Sequence, residues 1–216
     1  NNTWQTVQLI NHSYPIENTT FDEDGNPIAI LQFPELKPGE NINYTVTYYA
    51  LSKPRLLPLP DIREENSGTL EDIPEKLKEN YCGEGDAWLV NNRELQDLAY
   101  NITRDERNVL TIVEEFITWI RDENNVQYET YETPRYPNET YTEGKGDCDD
   151  QAILFITLCR ILGIPSYLQI GCIYMPTISP TQDTHWEGHL TTSLKHIGWH
   201  GWAIAYIPPW EWLPVD

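Results

Sequence analysis

Cys148 has the surroundings in this sequence that most favour covalent chemistry. Gly144 and Gly146 interrupt regular structure just before it, and apolar residues recur after it at helical spacing until Gly163 and Pro165 end the pattern. The spacing therefore predicts a helix that begins at or near Cys148. Free backbone N–H groups and the helix dipole at such a position stabilise a thiolate and lower the pKa of a thiol.

Two observations favour a different interpretation of Cys148. A cysteine in a domain of this size is more often a small buried apolar residue than a nucleophile. The neighbouring carboxylates of Asp147, Asp149 and Asp150 also disfavour a thiolate. A partner base elsewhere in the chain would decide between the two interpretations.

His200 is the candidate base. Residues 202–207 have the composition of a strand buried on both faces, Pro208 and Pro209 predict a turn, and residues 210–215 predict a second strand. If the two strands pair as a hairpin, Asp216 lies beside His200. A cysteine at a helix tip, a histidine on a strand and a carboxylate on the next strand would provide a nucleophile, a base and an orienting group.

These segments resemble the core of the transglutaminase-like superfamily, in particular its microbial, protease-like branch. The resemblance spans about residues 90–216 and rests on four motifs that occur in the family's order: GKGDCDDQA around Cys148, LCRILGIP at 158–165, HGWAIAYIP from His200 and WLPVD ending at Asp216.

The resemblance implies a fold and a role for each site residue. The fold is α+β and papain-like, with the cysteine helix packed on an antiparallel sheet. Cys148 would be the nucleophile, His200 the general base and Asp216 the carboxylate that orients the histidine. One oxyanion donor would be the backbone N–H of Cys148, and a second would come from the preceding loop, from Gln127 or from Tyr128.

The chain divides by composition into three regions. Residues 1–55 carry short alternating strands and turn signals, and predict a small β-rich, sandwich-like segment. Residues 56–72 are rich in proline and predict a linker. Residues 73–216 predict the catalytic core.

Within the core, the patterns predict the following elements in order: a short helix over 74–79, a helix over 92–100, a capping box at Thr103 that opens a helix through about 121, an irregular loop over 126–143, the cysteine helix, a strand over 167–175 and a polar loop over 177–194.

A metal site is a weaker interpretation of the polar loop. His185 and His189 have the spacing of two ligands on a helix, and Glu187 lies between them. Gly188 and the surrounding polar residues favour a loop at the rim of the cleft instead. We expect neither a metal nor a cofactor.

The composition limits the classes of partner. The formal net charge of −20 argues against nucleic acid or an anionic membrane surface as a partner. The sequence has no apolar run near the length of a membrane span and no signal peptide. We expect a piece of a longer protein, with membrane association only through segments outside this sequence.

Glycosylation sequons favour an extracellular or cell-surface location. Six Asn-x-Ser/Thr triplets begin at Asn1, Asn11, Asn18, Asn43, Asn101 and Asn138. In an exported protein, one disulfide among the three remaining cysteines is plausible, and Cys159–Cys172 or Cys82–Cys172 are the candidate pairs.

The predicted function is acyl transfer from a protein or peptide amide through a thioester on Cys148. We expect hydrolysis of a peptide or isopeptide bond. Transamidation of glutamine is the alternative with the same intermediate. A non-catalytic cell-surface binding module on the same scaffold is the alternative from another class.

Overall fold

The computed structural model describes residues 5–22, 25–54, 56–131, 133–185, 188 and 190–216. The chain forms two compact units, of which the first ends at Pro58 and the second runs from Leu59 to Asp216.

The first unit consists of two antiparallel strand pairs. Strand β1 (Gln5–His12) pairs with β4 (Val46–Ser52), and β2 (Ile16–Phe21) pairs with β3 (Pro27–Leu31). The β2–β3 turn contains Gly25 at φ +79°, a left-handed conformation that glycine adopts without steric cost. All four strands lie within residues 1–55, for which the sequence predicts a β-rich segment.

The second unit begins with three 3₁₀ turns, Leu59–Asp61, Glu64–Asn66 and Leu70–Asp72. Its helices are α1 (Glu75–Tyr81), α2 (Arg93–Thr103), α3 (Val109–Arg121), α4 (Pro137–Glu143) and α5 (Cys148–Ile161). Its strands are β5 (Gln127–Tyr128), β6 (Lys145–Gly146), β7 (Ser166–Tyr174), β8 (Thr181–His185), β9 (Leu190–Leu194), β10 (Ile197–Ile207) and β11 (Glu211–Val215).

The start of α3 differs from the predicted capping box at Thr103. Helix α2 continues through Thr103, whose buried hydroxyl donates to the carbonyl of Ala99 at 3.0 Å. The cap of α3 is Asn108, whose side-chain oxygen accepts from the N–H of Thr111 at 3.1 Å. The hydroxyl of Thr103 thus bonds back within its own helix instead of capping the next one.

Two segments predicted as loops contain regular structure. Residues 137–143 form α4, with Pro137 in the first turn, where proline is tolerated because its missing N–H needs no partner. Residues within 177–194 form the antiparallel hairpin β8–β9. Its strands are rich in threonine, whose β-branched side chain favours an extended backbone whether or not it is buried.

Helix α5 is the centre of the second unit. The eight residues from Ala152 to Cys159 are all buried, so the helix is enclosed on every side and not only along its predicted apolar stripe. It packs against α2, α3, α4, β7 and β10. Strands β7, β10 and β11 form a three-stranded antiparallel sheet in the order β11-β10-β7. The predicted packing of the cysteine helix on an antiparallel sheet is therefore confirmed.

Strand β10 meets the first turn of α5 at Gly201. A Cβ atom at this position would lie 2.8 Å from Cβ and 3.2 Å from Cα of Asp149, which is closer than real Cβ contacts allow. The absence of a side chain at Gly201 therefore lets the central strand approach the helix N-terminus.

We expect Gly201→Ala to lower the free energy of unfolding by about 1–3 kcal/mol, the usual cost of forcing extra atoms into a packed site. Gly198→Ala on the same strand is the matched control, because a Cβ there meets no atom within 4 Å. Urea denaturation of both variants measures the difference. Equal stabilities of the two variants would contradict a tight contact at Gly201.

Candidate functional site

The loop before α5 is held by the carboxylate of Asp150. This side chain is fully buried and accepts the backbone N–H of Arg135 at 2.7 Å and that of Asp147 at 3.2 Å. Gly146 lies against it, since a Cβ there would be 2.7 Å from Cβ of Asp150. Asp150, which the sequence identified only as an unfavourable charge beside the thiol, therefore positions the turn that leads into Cys148.

Cys148 is the first residue of α5 and is partly buried. Burial raises the pKa of its thiol, and the charges of Asp149 and Asp147 raise the pKa further. Hydrogen bonds from the backbone N–H groups of Gly201 and Asp149 act in the opposite direction without cancelling these effects. Of the two opposing effects expected from the sequence, the one of the neighbouring carboxylates prevails, because burial of the thiol raises its pKa as well.

The side chains of Asp147 and Asp149 form a hydrogen-bonded pair beside the thiol. Burial raises the pKa of Asp147, and the hydrogen bond with Asp149 raises it further. The Sγ of Cys148 lies 3.8 Å from Oδ1 of Asp149, within reach of a weak S–H hydrogen bond.

One ligand atom from each of these three residues falls within 4.8 Å of the others. We assign no metal to the group, because only the proximity of these three atoms points to one.

The predicted hairpin is confirmed. Strands β10 and β11 pair antiparallel, with Ala203 opposite Val215. This register brings Oδ1 of Asp216 to 2.8 Å from Nε2 of His200. The carboxylate of Asp216 therefore binds Nε2 of His200, and Nδ1 remains as the ring nitrogen that can accept or donate a proton.

The imidazole of His200 is also held by packing. The indole of Trp202 stacks on it at a centroid distance of 5.7 Å and an interplanar angle of 21°. The side chain of His200 is 19% exposed, whereas that of Asp216 is 68% exposed. The ring is thus sheltered, and its carboxylate partner is largely in water.

A single cavity of about 250 Å³ brings Cys148, His200 and Asp216 together. Its walls come from the C-terminal part of α3, the N-terminal part of α5, the middle of β10 and the end of β11, and its lining includes Tyr128 and Gln151. The three residues singled out from the sequence therefore share one cleft.

The two candidate side chains for the second oxyanion donor, Gln127 and Tyr128, differ in whether they line the cavity. Tyr128 lines the cavity, and burial, then the charge of Cys148, raises the pKa of its hydroxyl. Gln127 pairs with Lys145 between β5 and β6 and is absent from the described lining. Gln151 also lines the cavity, but its side-chain amide donates to the carbonyl of Gly146 at 2.9 Å. Gln151 belongs to the GKGDCDDQA motif, from which no role for its side chain was predicted.

The structure does not describe several residues of the predicted polar loop and of the N-terminal region, and it leaves the predicted disulfides unformed. Trp186, Glu187 and His189 and the side chain of His185 are outside the described residues, and so are Asn1 and Trp4. All four cysteines are free thiols, with Cys159 buried and Cys172 exposed, so neither candidate disulfide is formed. Over the described ranges, no helix has the length and apolarity needed to cross a bilayer.

Comparisons with known proteins agree with this architecture. A family model described as the transglutaminase-like superfamily matches residues 96–216, more than half of the chain. Among curated proteins, none matches the sequence.

Solved structures share the fold at low sequence identity. A proposed cysteine protease from Cytophaga hutchinsonii is 22% identical with a TM-score of 0.60, and the alignment covers 100% of this chain and 67% of that one. The periplasmic domain of TgpA from Pseudomonas aeruginosa, bound to ethylmercury, is 14% identical with a TM-score of 0.52, and the alignment covers 97% of this chain and 64% of that one. This chain thus spans about two thirds of the length of both.

The family match supports a cysteine-dependent catalytic role. It covers the cysteine helix, the central strand and the final hairpin, which are the elements that form the cleft. The chain belongs to the transglutaminase-like superfamily.

Proposed function

We propose that this chain is a cysteine hydrolase that cleaves peptide or isopeptide amides through a thioester on Cys148. The observation that carries the proposal is the 2.8 Å contact between His200 and Asp216 at the cavity that also holds Cys148. A sheltered imidazole with one nitrogen on a carboxylate and the other free is suited to move a proton to and from a thiol.

The proposed reaction begins from the neutral thiol. His200 takes the proton of Cys148 at Nδ1 as Sγ forms a bond to the amide carbonyl carbon. The C–N bond then breaks, His200 returns the proton to the leaving amine, and an acyl thioester remains on Cys148. Water, deprotonated by the same nitrogen, attacks the thioester, releases the carboxylic acid and restores the thiol.

The raised pKa of Cys148 shapes the role of His200. A thiol that keeps its proton at rest needs a base at the moment of attack, and this need assigns the base role to His200. The N–H groups at the start of α5 and the hydroxyl of Tyr128 are the proposed donors to the developing oxyanion. Asp216 is the proposed orienting carboxylate.

Hydrolysis is favoured over transamidation because one of the solved structures of similar fold is a proposed cysteine protease. Transamidation would use the same thioester with an amine in place of water. A binding module that does not catalyse is the remaining alternative.

One experiment separates the three functions. The protein is incubated with glutamine-containing peptides and a primary amine, and peptide cleavage, ammonia release and amine incorporation are measured. We expect cleavage that falls about 10²- to 10⁴-fold in His200→Ala, because general base catalysis contributes that much. His12→Ala in the first unit is the matched control and should retain activity.

The other results each identify another function. Ammonia release with amine incorporation and no cleavage would indicate transamidation. A binding module would give no turnover, together with iodoacetamide labelling of Cys148 that is unaffected by His200→Ala.

The charges of Asp147 and Asp149 lead to a prediction for the pH dependence of Cys148 alkylation. The charges of Asp147 and Asp149 raise the pKa of Cys148, so removing them lowers that pKa and increases the thiolate fraction at a given pH. We expect the pH profile of iodoacetamide labelling of Cys148 to move to lower pH in Asp147→Asn/Asp149→Asn. Asp97→Asn/Asp105→Asn removes the same charge at exposed positions and should leave the profile in place. A profile that stays or moves to higher pH in the first variant would refute the electrostatic account.

We also propose an extracytoplasmic location, supported by the sequons and by the likeness to a periplasmic domain.

The sequons whose residues the structure describes differ in their exposure to solvent. Those of Asn11, Asn18 and Asn43 are exposed, whereas the threonines of the other two, Thr103 and Thr140, are buried. We expect glycopeptide mass spectrometry of protein from its native source to find glycans at the three exposed sequons and none at Asn101 or Asn138. A glycan on Asn138, or bare asparagines throughout, would count against this account.

A further inference from the structure

Strand β11 covers only one part of the edge of β10. Its pairing with β10 ends where Val215 lies opposite Ala203. On the other side of β10, β7 continues its pairing as far as Ile197. The first half of β10 therefore has one edge on β7 and one edge that β11 leaves open. This half includes His200 and Gly201, which line the cavity.

Successive residues of β10 direct their backbone groups to opposite edges, as in any antiparallel ladder. The N–H of Tyr206 donates at 2.8 Å to the carbonyl of Pro165, the residue before β7. The carbonyl of His196 accepts at 2.8 Å from the N–H of Met175, the residue after β7. The register between these two bonds has no shift. Even-numbered residues of β10 therefore face β7, and odd-numbered residues face the open edge.

The open edge begins at the proposed nucleophile. The N–H of Gly201, an odd-numbered residue, donates to Sγ of Cys148. The sulfur thus fills the place that a further residue of β11 would take. The next odd-numbered residue is Trp199, two residues or ~7 Å further along the strand. Among the residues that the structure describes, its backbone N–H and carbonyl have no hydrogen-bond partner.

The side chain of Trp199 adds an apolar surface to this edge. Trp199 is 62% exposed, and Ile170 and Tyr174 on β7 are 63% and 72% exposed. Ile170 lies opposite Gly201, and Tyr174 lies opposite Ile197. Since opposite residues of a ladder share one face, these exposed side chains lie on the same face of the sheet as the indole. Exposed apolar patches of this kind mark interaction sites.

An open strand edge can bind a peptide as an added strand. The main-chain hydrogen bonds then provide affinity, and alternate side chains provide specificity. A strand added to this edge of β10 runs past the sulfur of Cys148, which lies level with Gly201. In an extended chain with ~3.3 Å per residue, a carbonyl at the sulfur leaves the second residue along level with Trp199.

We propose that the edge of β10 at Trp199 binds an extended segment of the polypeptide substrate, next to the reacting carbonyl, as an added strand. The backbone N–H and carbonyl of Trp199 pair with the second residue from that carbonyl, and the indole contacts its side chain, which is apolar. The proposal rests on the proposed function, because it places the reacting carbonyl at Cys148.

The first test uses reactive peptides that alkylate Cys148. Peptidyl chloromethyl ketones carry their chain on the acyl side of the reacting carbonyl, and iodoacetyl peptides carry it on the amine side. One backbone amide at a time is N-methylated, and the second-order labelling rate of Cys148 is measured by peptide mapping. In one of the two series, we expect N-methylation of the second residue to slow labelling about three- to tenfold, the net effect of one hydrogen bond. N-methylation of its neighbours is the control, because their N–H groups point away from β10.

The second test removes the same bond from the protein side. Trp199→Pro deletes the outward N–H and leaves the ladder bonds to β7, a position at which a strand tolerates proline. Trp199→Ala is the matched control, because it removes the indole and keeps the N–H. Each rate is divided by that of unsubstituted iodoacetamide on the same variant. We expect this ratio to be about three- to tenfold lower in Trp199→Pro than in Trp199→Ala, and a preference for Phe over Ser at the second residue to fall in both.

Melting temperatures establish that both variants are folded, and if Trp199→Pro is not, the N-methylated peptides decide alone. Equal rates for all N-methylated peptides in both series would overturn the proposal, and so would equal ratios in two folded variants. Unsubstituted iodoacetamide tests the proposed function separately. If its labelling of Cys148 does not depend on His200, the catalytic proposal fails. If that dependence holds and the peptides show no effect of Trp199, only the proposal for the strand edge fails.

Discussion

The close approach of β10 to the first turn of α5 is the contact on which the site depends. At Gly201 the strand lies against Asp149 without an intervening side chain, and the same glycine directs its N–H at the sulfur of Cys148. His200 precedes this glycine, so the contact that packs the sheet on the helix also holds the imidazole at the cavity that Cys148 lines. The site is therefore a product of core packing, since α5 is buried on every side.

The three aspartates around Cys148 act differently although they are neighbours in sequence. Asp150 is fully buried and holds the preceding loop through two backbone N–H groups. Burial raises the pKa of the Cys148 thiol, and the charges of Asp149 and Asp147 raise it further.

The sequence was sufficient to predict features that depend on local pattern. Glycines before an apolar run placed Cys148 at a helix start, and a two-proline turn between strands placed Asp216 beside His200. Features that depend on burial were not predictable in this way. The thiol pKa follows from desolvation, which spacing does not report, and Thr103 matches a capping pattern but bonds back to its own helix because that helix continues. The position of Gln151 in the cavity lining likewise could not be predicted from its motif.

The three residues of the proposed catalytic group belong to elements that differ in burial. Cys148 and His200 belong to the central helix and the central strand, whereas Asp216 follows β11, an edge strand of the β11-β10-β7 sheet. Edge strands and chain segments in water open at a lower free energy than a core does. Loosening of β11 would therefore move the carboxylate away from His200, while Cys148 and His200 stay in place on α5 and β10.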